Sequence, residues 1–332
     1  YIFAPGSVFL IAYLIDKFKV SKDLKTKAAL QDKNYSPVFD WKKLINYAWQ
    51  IIIFFLAYEL LISIDLYMVK GMLHDDNLTG IYNGALTVGR IPYYIFYAMT
   101  IFLLPMVSKS TADNNHKETR NIIGQSLRIM MILLVPMIIL MSVFAQPILF
   151  LFYGKHYLLG AGPMAILEYG VGFLTIFYVL TFAVNGAGKT KIPMIISVIG
   201  VILNIILNYI LIKKFSIVGS AMATSITSLV IMVFMLWYLY KVFGVTIKLQ
   251  SFLKTALAGI ILYFVARLFS QGEIIFILWS IILFAFYLVF LYLLGEIKKE
   301  DIDYLRNISS RKKVAEARPV RNRYEDIDLL ND

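Results

Sequence analysis

The chain is built from uninterrupted apolar runs of the length that crosses a bilayer, roughly 20 residues for ~30 Å of hydrocarbon. Eight complete runs occur, at 44–69, 80–107, 121–143, 164–184, 192–213, 217–240, 250–269 and 274–294, with a partial one at 1–15. In hydrocarbon every backbone polar group must find a partner within the protein, so such runs become helices. The sequence therefore predicts an all-α, polytopic membrane helix bundle of about eight complete transmembrane helices plus one partial. Only 16% of residues are charged, against ~25% in a soluble domain.

The net charge is +11. Its placement argues for topology and against nucleic acid. The connections 16–43, 108–120, 185–191 and 241–249 and the segment from 295 onward hold 24 of the 32 Lys and Arg residues; the opposite connections hold five. An excess of this kind marks the cytoplasmic side. It puts the C-terminal tail in the cytoplasm and requires an even number of crossings between Leu44 and Leu294. Lys213 and Lys214 break the pattern locally. Segment 16–43 reads as a charged linker between helical bundles, and Trp41 is placed as an interfacial anchor. The first residue is Tyr1, and no charged segment precedes an apolar core, so the chain reads as lacking a signal peptide and its natural N-terminus.

With no cysteine, thiolate chemistry and disulfides are excluded. His74, His116 and His156 lie far apart in polar connections, without metal-ligand spacing. No metal and no cofactor is expected. Gly186-Ala187-Gly188-Lys189-Thr190 imitates the end of a phosphate-binding loop, but Ala183 stands where that pattern needs glycine. It reads as a cytoplasmic turn.

Charged groups inside a membrane are costly and mark function by default. Arg90 lies 11 residues beyond Thr79, ~16 Å down its helix. Glu59, 11 residues before Lys70 on the preceding helix, falls at the same depth. The two are expected to meet, either across a polar cavity or as an ion pair that fixes helix packing. Asn83, Thr87, Arg90, Tyr94 and Tyr97 recur at helical spacing and share one face. That stripe suits an anionic, sugar-bearing substrate, with Arg90 for phosphate; the bland reading is a tyrosine belt at the interface. Pro92 and Pro136 imply kinks. Asp65 is either an ion-coupling or gating carboxylate or a group reaching interfacial water. Glu168 reads as a solvated helix end. Asn204 and Asn208, in line with Ser197, face Gly219, Ala223 and Thr227 on the next helix. They read as a packed hairpin around a Phe215-Ser216 turn.

Several stretches carry a family likeness: Asp65-Leu66-Tyr67-Met68-Val69, Thr79-Gly80-Ile81-Tyr82-Asn83-Gly84-Ala85, Leu103-Leu104-Pro105-Met106-Val107-Ser108-Lys109, Asn185-Gly186-Ala187-Gly188-Lys189 and Ile217-Val218-Gly219-Ser220-Ala221-Met222-Ala223-Thr224. In order and spacing they resemble the polysaccharide-biosynthesis (O-antigen-type) flippases of the multidrug/oligosaccharidyl-lipid/polysaccharide exporter superfamily. The resemblance implies two six-helix lobes around a central cavity, working by alternating access. Residues 1–15 would end the N-terminal lobe, whose other helices are absent here, and 16–43 would be a cytoplasmic linker. Residues 44–241 would form the C-terminal lobe, 242–294 two additional helices and 295–332 a cytoplasmic tail.

On this reading the protein is a flippase and not an enzyme. It carries polyprenyl-diphosphate-linked oligosaccharide across the cytoplasmic membrane as a monomer, with membrane lipid around it. Arg90 contacts diphosphate; Asn83, Thr87, Tyr94, Tyr97 and Glu59 complete the substrate site; Asp65 couples an ion. The alternative is a cation-coupled multidrug antiporter of the same superfamily, which would favour a titrating carboxylate and no fixed cation. A membrane polymerase or ligase would need a large outer catalytic loop, and the longest outer connection, 144–163, is largely apolar.

Overall fold

The computed structural model describes residues 41–245, 249–269 and 275–297. The expected partial helix 1–15, most of the linker and the tail beyond Ile297 lie outside these. The chain divides into two compact units, Tyr1–Ala48 and Trp49–Asp332; from the first, only the opening turns of α1 are described.

Nine α-helices are present among the described residues: α1 (Trp41–Leu73), α2 (Asp76–Gly89), α3 (Ile91–Ala112), α4 (His116–Val143), α5 (Ala145–Tyr153), α6 (Ala161–Gly186), α7 (Lys191–Phe243), α8 (Leu249–Leu268) and α9 (Ile275–Leu293). A 3-10 helix, Lys155–Gly160, joins α5 to α6. Seven of the described helices, α6 taken together with the 3-10 helix before it, are long and apolar enough to cross a membrane. One of these, α7, runs for 53 residues and is broken at Ser216 (φ 54°, ψ −136°). It folds back as the expected hairpin and supplies two crossings, which brings the total to the eight read from the sequence.

Local chemistry sets the ends. Asp75 caps α2 by accepting from Leu78 N–H (3.0 Å), and Asn115 caps α4 by accepting from Glu118 N–H (3.1 Å); both satisfy amides that a helix start leaves unpaired. The Gly186–Lys189 stretch is a turn, with Gly188 at φ 74°. The run expected as one helix over 80–107 is two, α2 and α3, divided at Arg90. Pro92 sits in the first turn of α3; having no N–H to give to a carbonyl of the preceding turn, it interrupts the hydrogen-bond ladder there while Arg90 itself stays in the right-handed helical region. By contrast α4 runs through Pro136 as a single element. The apolar connection 144–163, expected on the outer side, is itself folded: α5 has nine residues, too few to span.

Helix α6 is the central element, with 67% of its most apolar stretch buried against 22–50% in the other spans. It carries Phe177, Tyr178, Leu180 and Val184 into a core shared with Phe54 of α1, Phe96 of α3, Leu127 of α4 and Met235 of α7. Small residues permit this. A Cβ on Gly170 would lie 2.8 Å from Ser225 Cα, and one on Gly186 would lie 2.7 Å from the Leu104 carbonyl oxygen. Membrane helices gain van der Waals contact by such approaches rather than by hydrophobic exclusion. Helices α8 and α9 dock through a second core, Ala258, Leu262, Leu283 and Tyr287 with Ile139 of α4. Arg128 Nε, 3.1 Å from Glu296 Oε1, fastens the end of α9 to α4.

Candidate functional site

The division between α2 and α3 places Arg90 at the bend between them, with φ −82° and ψ −2°, one residue before the span Ile91–Ala112. Its side chain is half-buried, and Nη2 donates to the Ile62 carbonyl of α1. Below and above it the expected stripe is present and open. Asn83 and Thr87 are exposed, Tyr94 is 61% exposed and Tyr97 46%. Thr87 Oγ1 donates to the Asn83 carbonyl (2.8 Å), which satisfies the hydroxyl within its own helix.

Tyr93, one position off the stripe, leads inward to an aromatic cluster. Its ring stands 5.9 Å from Tyr58 and 5.2 Å from Tyr178. Tyr97 stacks on Tyr178 at 6.0 Å and 24°. The exposed tyrosines are thus backed by buried ones from α1 and α6, a rigid aromatic wall rather than separate interfacial rings.

Glu59 and Arg90 do not meet. Glu59 is exposed on α1, and among the described residues no hydrogen bond or ion pair joins the two. Ile62, whose carbonyl Arg90 takes, is three residues past Glu59, so the depth reading holds to about one turn. The bend at Arg90 carries the guanidinium to the backbone instead.

Asp65 is fully buried, which overturns the reading of a carboxylate reaching interfacial water. It accepts from Leu66 N–H (2.8 Å), the Tyr82 hydroxyl (3.0 Å) and the Thr224 hydroxyl (3.3 Å). From Thr224 the network runs on: Asn204 Nδ2 is 3.4 Å from Thr224 Oγ1, Asn208 Nδ2 donates to Asn204 Oδ1 (2.9 Å), and Ser220 Oγ donates to Asn208 Oδ1 (2.7 Å). One carboxylate among neutral oxygens and amides, held by α1, α2 and both arms of α7, can hold a small cation or a proton. Sequence reasoning treats Asn204 and Asn208 as packing residues and misses Tyr82, Ser220 and Thr224. The spacing of four from Ser220 to Thr224, matching that of Asn204 to Asn208, is the signal that could have found them.

Glu168 is also fully buried, not a solvated helix end. Neither of its oxygens has a hydrogen-bond partner among the described residues, and a Cβ on Gly89 would lie 3.3 Å from Oε1. It therefore stands beside the α2–α3 bend.

The profile of the lipid II flippase MurJ family matches residues 39–290. The chain belongs to this family. A probable low-salt glycan biosynthesis flippase, Agl15 of Haloferax volcanii, is 25% identical over 159 residues, 48% of this chain and 34% of that protein. The lipid II flippase MurJ of Thermosipho africanus is 28% identical over 212 residues, 58% of this chain and 43% of its own length. This chain thus spans less than half of either relative. A solved lipid II flippase MurJ in an inward closed conformation superposes with a TM-score of 0.62 at 23% identity, over 71% of this chain and 51% of the other, and shares the fold. A chain of this family with seven helices long and apolar enough to span a bilayer is a multi-pass membrane protein; the family shown is lipid II flippase MurJ, where the resemblance named polysaccharide-biosynthesis flippases.

Proposed function

We propose that the protein works as a flippase for polyprenyl-diphosphate-linked oligosaccharide, moving it across the cytoplasmic membrane by alternating access for surface polysaccharide synthesis. The observation that carries this is the open stripe of Asn83, Thr87, Arg90, Tyr94 and Tyr97, which runs across the α2–α3 bend into the span Ile91–Ala112. An amide and a guanidinium beside a span are costly against acyl chains, which favours a wet passage along this stripe. A cation flanked by flat rings and amides matches a diphosphate carrying sugars. Arg90 takes the diphosphate, Asn83, Thr87, Tyr94 and Tyr97 the sugars, and Glu59 the hydroxyls of the headgroup. The lipid tail stays in the bilayer, and no bond is broken.

Residues 44–241 act as one six-helix lobe, with 242–294 as added helices and the tail in the cytoplasm, on the charge asymmetry of the connections. Asp65 serves as the ion-coupling carboxylate, supported by its burial among the neutral donors of three helices. The fixed cation of Arg90 weighs against the antiporter alternative.

The test is transport. The complete gene product, reconstituted in vesicles, is given a fluorescent polyprenyl-diphosphate oligosaccharide, and its movement between leaflets is followed. Wild-type protein moves it and Arg90→Ala moves it about tenfold or more slower, at equal abundance. Equal rates for the two proteins would remove the assigned site, and no movement by wild-type protein would remove the function.

A further inference from the structure

The outer connection between α4 and α6 does more than link helices. It ends α5 at Tyr153, reverses at Gly154 (φ 79°), a conformation that favours glycine, and continues as the 3-10 helix. The reversal brings Tyr153 and Tyr157 face to face, with ring centroids 4.7 Å apart and planes at 24°. The pair lies on α2 at Gly84. A Cβ there would sit 2.8 Å from Tyr157 Cδ1 and 3.4 Å from Tyr153 Cε2, so the rings occupy the space that glycine leaves. His156 Nε2 is 2.7 Å from Asn77 Oδ1 and pins the 3-10 helix to the first turn of α2. The platform is fastened at two points.

Its position sets it apart from an interfacial tyrosine belt. Belt residues are spread around the perimeter at headgroup depth. These two rings are stacked on each other and seated on one helix. Gly84 is next to Asn83 and three residues before Thr87, so the platform borders the upper edge of the open polar stripe. Tyr153 is 38% exposed, Tyr157 is half-buried beneath it, and the amides of Asn77 and Asn83 are exposed beside them. Flat apolar faces with a polar tip and an amide rim match a sugar, which shows C–H groups on its faces and hydroxyls at its edge.

We infer that Tyr153 and Tyr157 form an outer saccharide subsite, receiving the distal sugars of the headgroup whose diphosphate lies at Arg90. This rests on the flippase reading and deepens it. Gly84 is six residues before Arg90, ~9 Å along the helix. A sugar joined directly to the diphosphate does not reach that far, whereas later sugars do. The subsite therefore selects for headgroups of several sugars.

The experiment compares two cargoes in vesicles holding the complete gene product: a fluorescent polyprenyl diphosphate with four sugars and the same lipid with one. Tyr153→Ala combined with Tyr157→Ala slows the four-sugar lipid about fivefold to tenfold and leaves the one-sugar lipid within about twofold, while the corresponding Phe pair, which keeps the rings, moves both near the wild-type rate. If the Ala pair fails to reach the membrane, Tyr153→Ala alone, which leaves Tyr157 seated on Gly84, is judged by the same comparison. Equal slowing of both cargoes makes the platform a structural prop, and unchanged rates for both remove it from the path; either overturns the inference. Wild-type protein that moves neither cargo refutes the flippase reading and this subsite with it.

Discussion

Arg90 and Asp65 converge on a single turn of α1. Arg90 Nη2 donates to the Ile62 carbonyl, while Asp65 Oδ1 accepts from Leu66 N–H (2.8 Å), the amide that an α-helix directs at Ile62. The guanidinium also bears electrostatically on the Asp65 carboxylate. A group on the open stripe and a group in a sealed network thus share one stretch of backbone. The two side chains make no direct contact; the shared turn of α1 is what lies between them.

Removing the cation tests the outer half of this pair. Arg90→Ala removes the cation proposed to hold the diphosphate; a charge-assisted hydrogen bond there is worth ~1.5–3 kcal/mol, so transport of a diphosphate-linked cargo falls about tenfold or more. Arg90→Lys keeps the charge without the planar fork and recovers part of the rate. Transport is read beside abundance in the membrane, and a loss of protein in step with a loss of activity would assign Arg90 to packing.

The inner half is tested with the phenol that supports it. Tyr82→Phe keeps the buried ring and takes one of the three donors from Asp65, at a cost of ~1.5–3 kcal/mol for a hydrogen bond to a charged group. Asp65→Asn keeps the shape and removes the charge, and transport driven by a cation gradient drops to the rate seen without one. The double mutant loses less stability than the two single changes added together, because both act on one bond. Thermal unfolding in detergent measures the first and third outcomes; gradient-driven transport measures the second.

The sequence is informative where bilayer thickness decides and silent where neighbouring helices decide. Run lengths locate the eight crossings, and Pro92 locates the bend beside Arg90. Phe215-Ser216 marks the return inside α7, although helical hydrogen bonding continues on both sides of it. Glu59 and Asp65 show the limit. They are six residues apart on one helix, ~240° around it at ~100° per residue. Periodicity separates their faces but does not say which face is covered. The covering comes from Tyr82 and Thr224, 17 and 159 residues away. The same holds for Tyr153 and Tyr157, whose meeting depends on one positive φ at Gly154 and a missing side chain at Gly84.

Close approach of α6 and α7 predicts a contrast between two glycines. Gly170→Ala sets a Cβ 2.8 Å from Ser225 Cα, and backbone there yields only if the helices part, so the cost is ~1–3 kcal/mol. Gly124→Ala, in α4, meets nothing within 4 Å. It is neutral or stabilises by ~0.4–1 kcal/mol through the unfolded state. Melting temperatures of the two variants in one detergent check the sign of each, and similar losses from both would contradict the packing described for α6.

Glu168 presents the opposite case, a side chain whose removal improves the fold. Both oxygens are buried without a hydrogen-bond partner among the described residues, and a polar group left in that state costs ~1–3 kcal/mol. Glu168→Leu replaces it with a side chain of similar reach that needs no partner, so stability rises by ~1–2 kcal/mol; Glu168→Gln, which still buries polar atoms, gains little. Transport by the Leu variant then decides why the carboxyl is there. Beside the Arg90 bend, a group retained at a cost to stability belongs to the working cycle, and the more stable Glu168→Leu protein transports more slowly. A variant both more stable and fully active would leave Glu168 as an unrepaired cost of the fold.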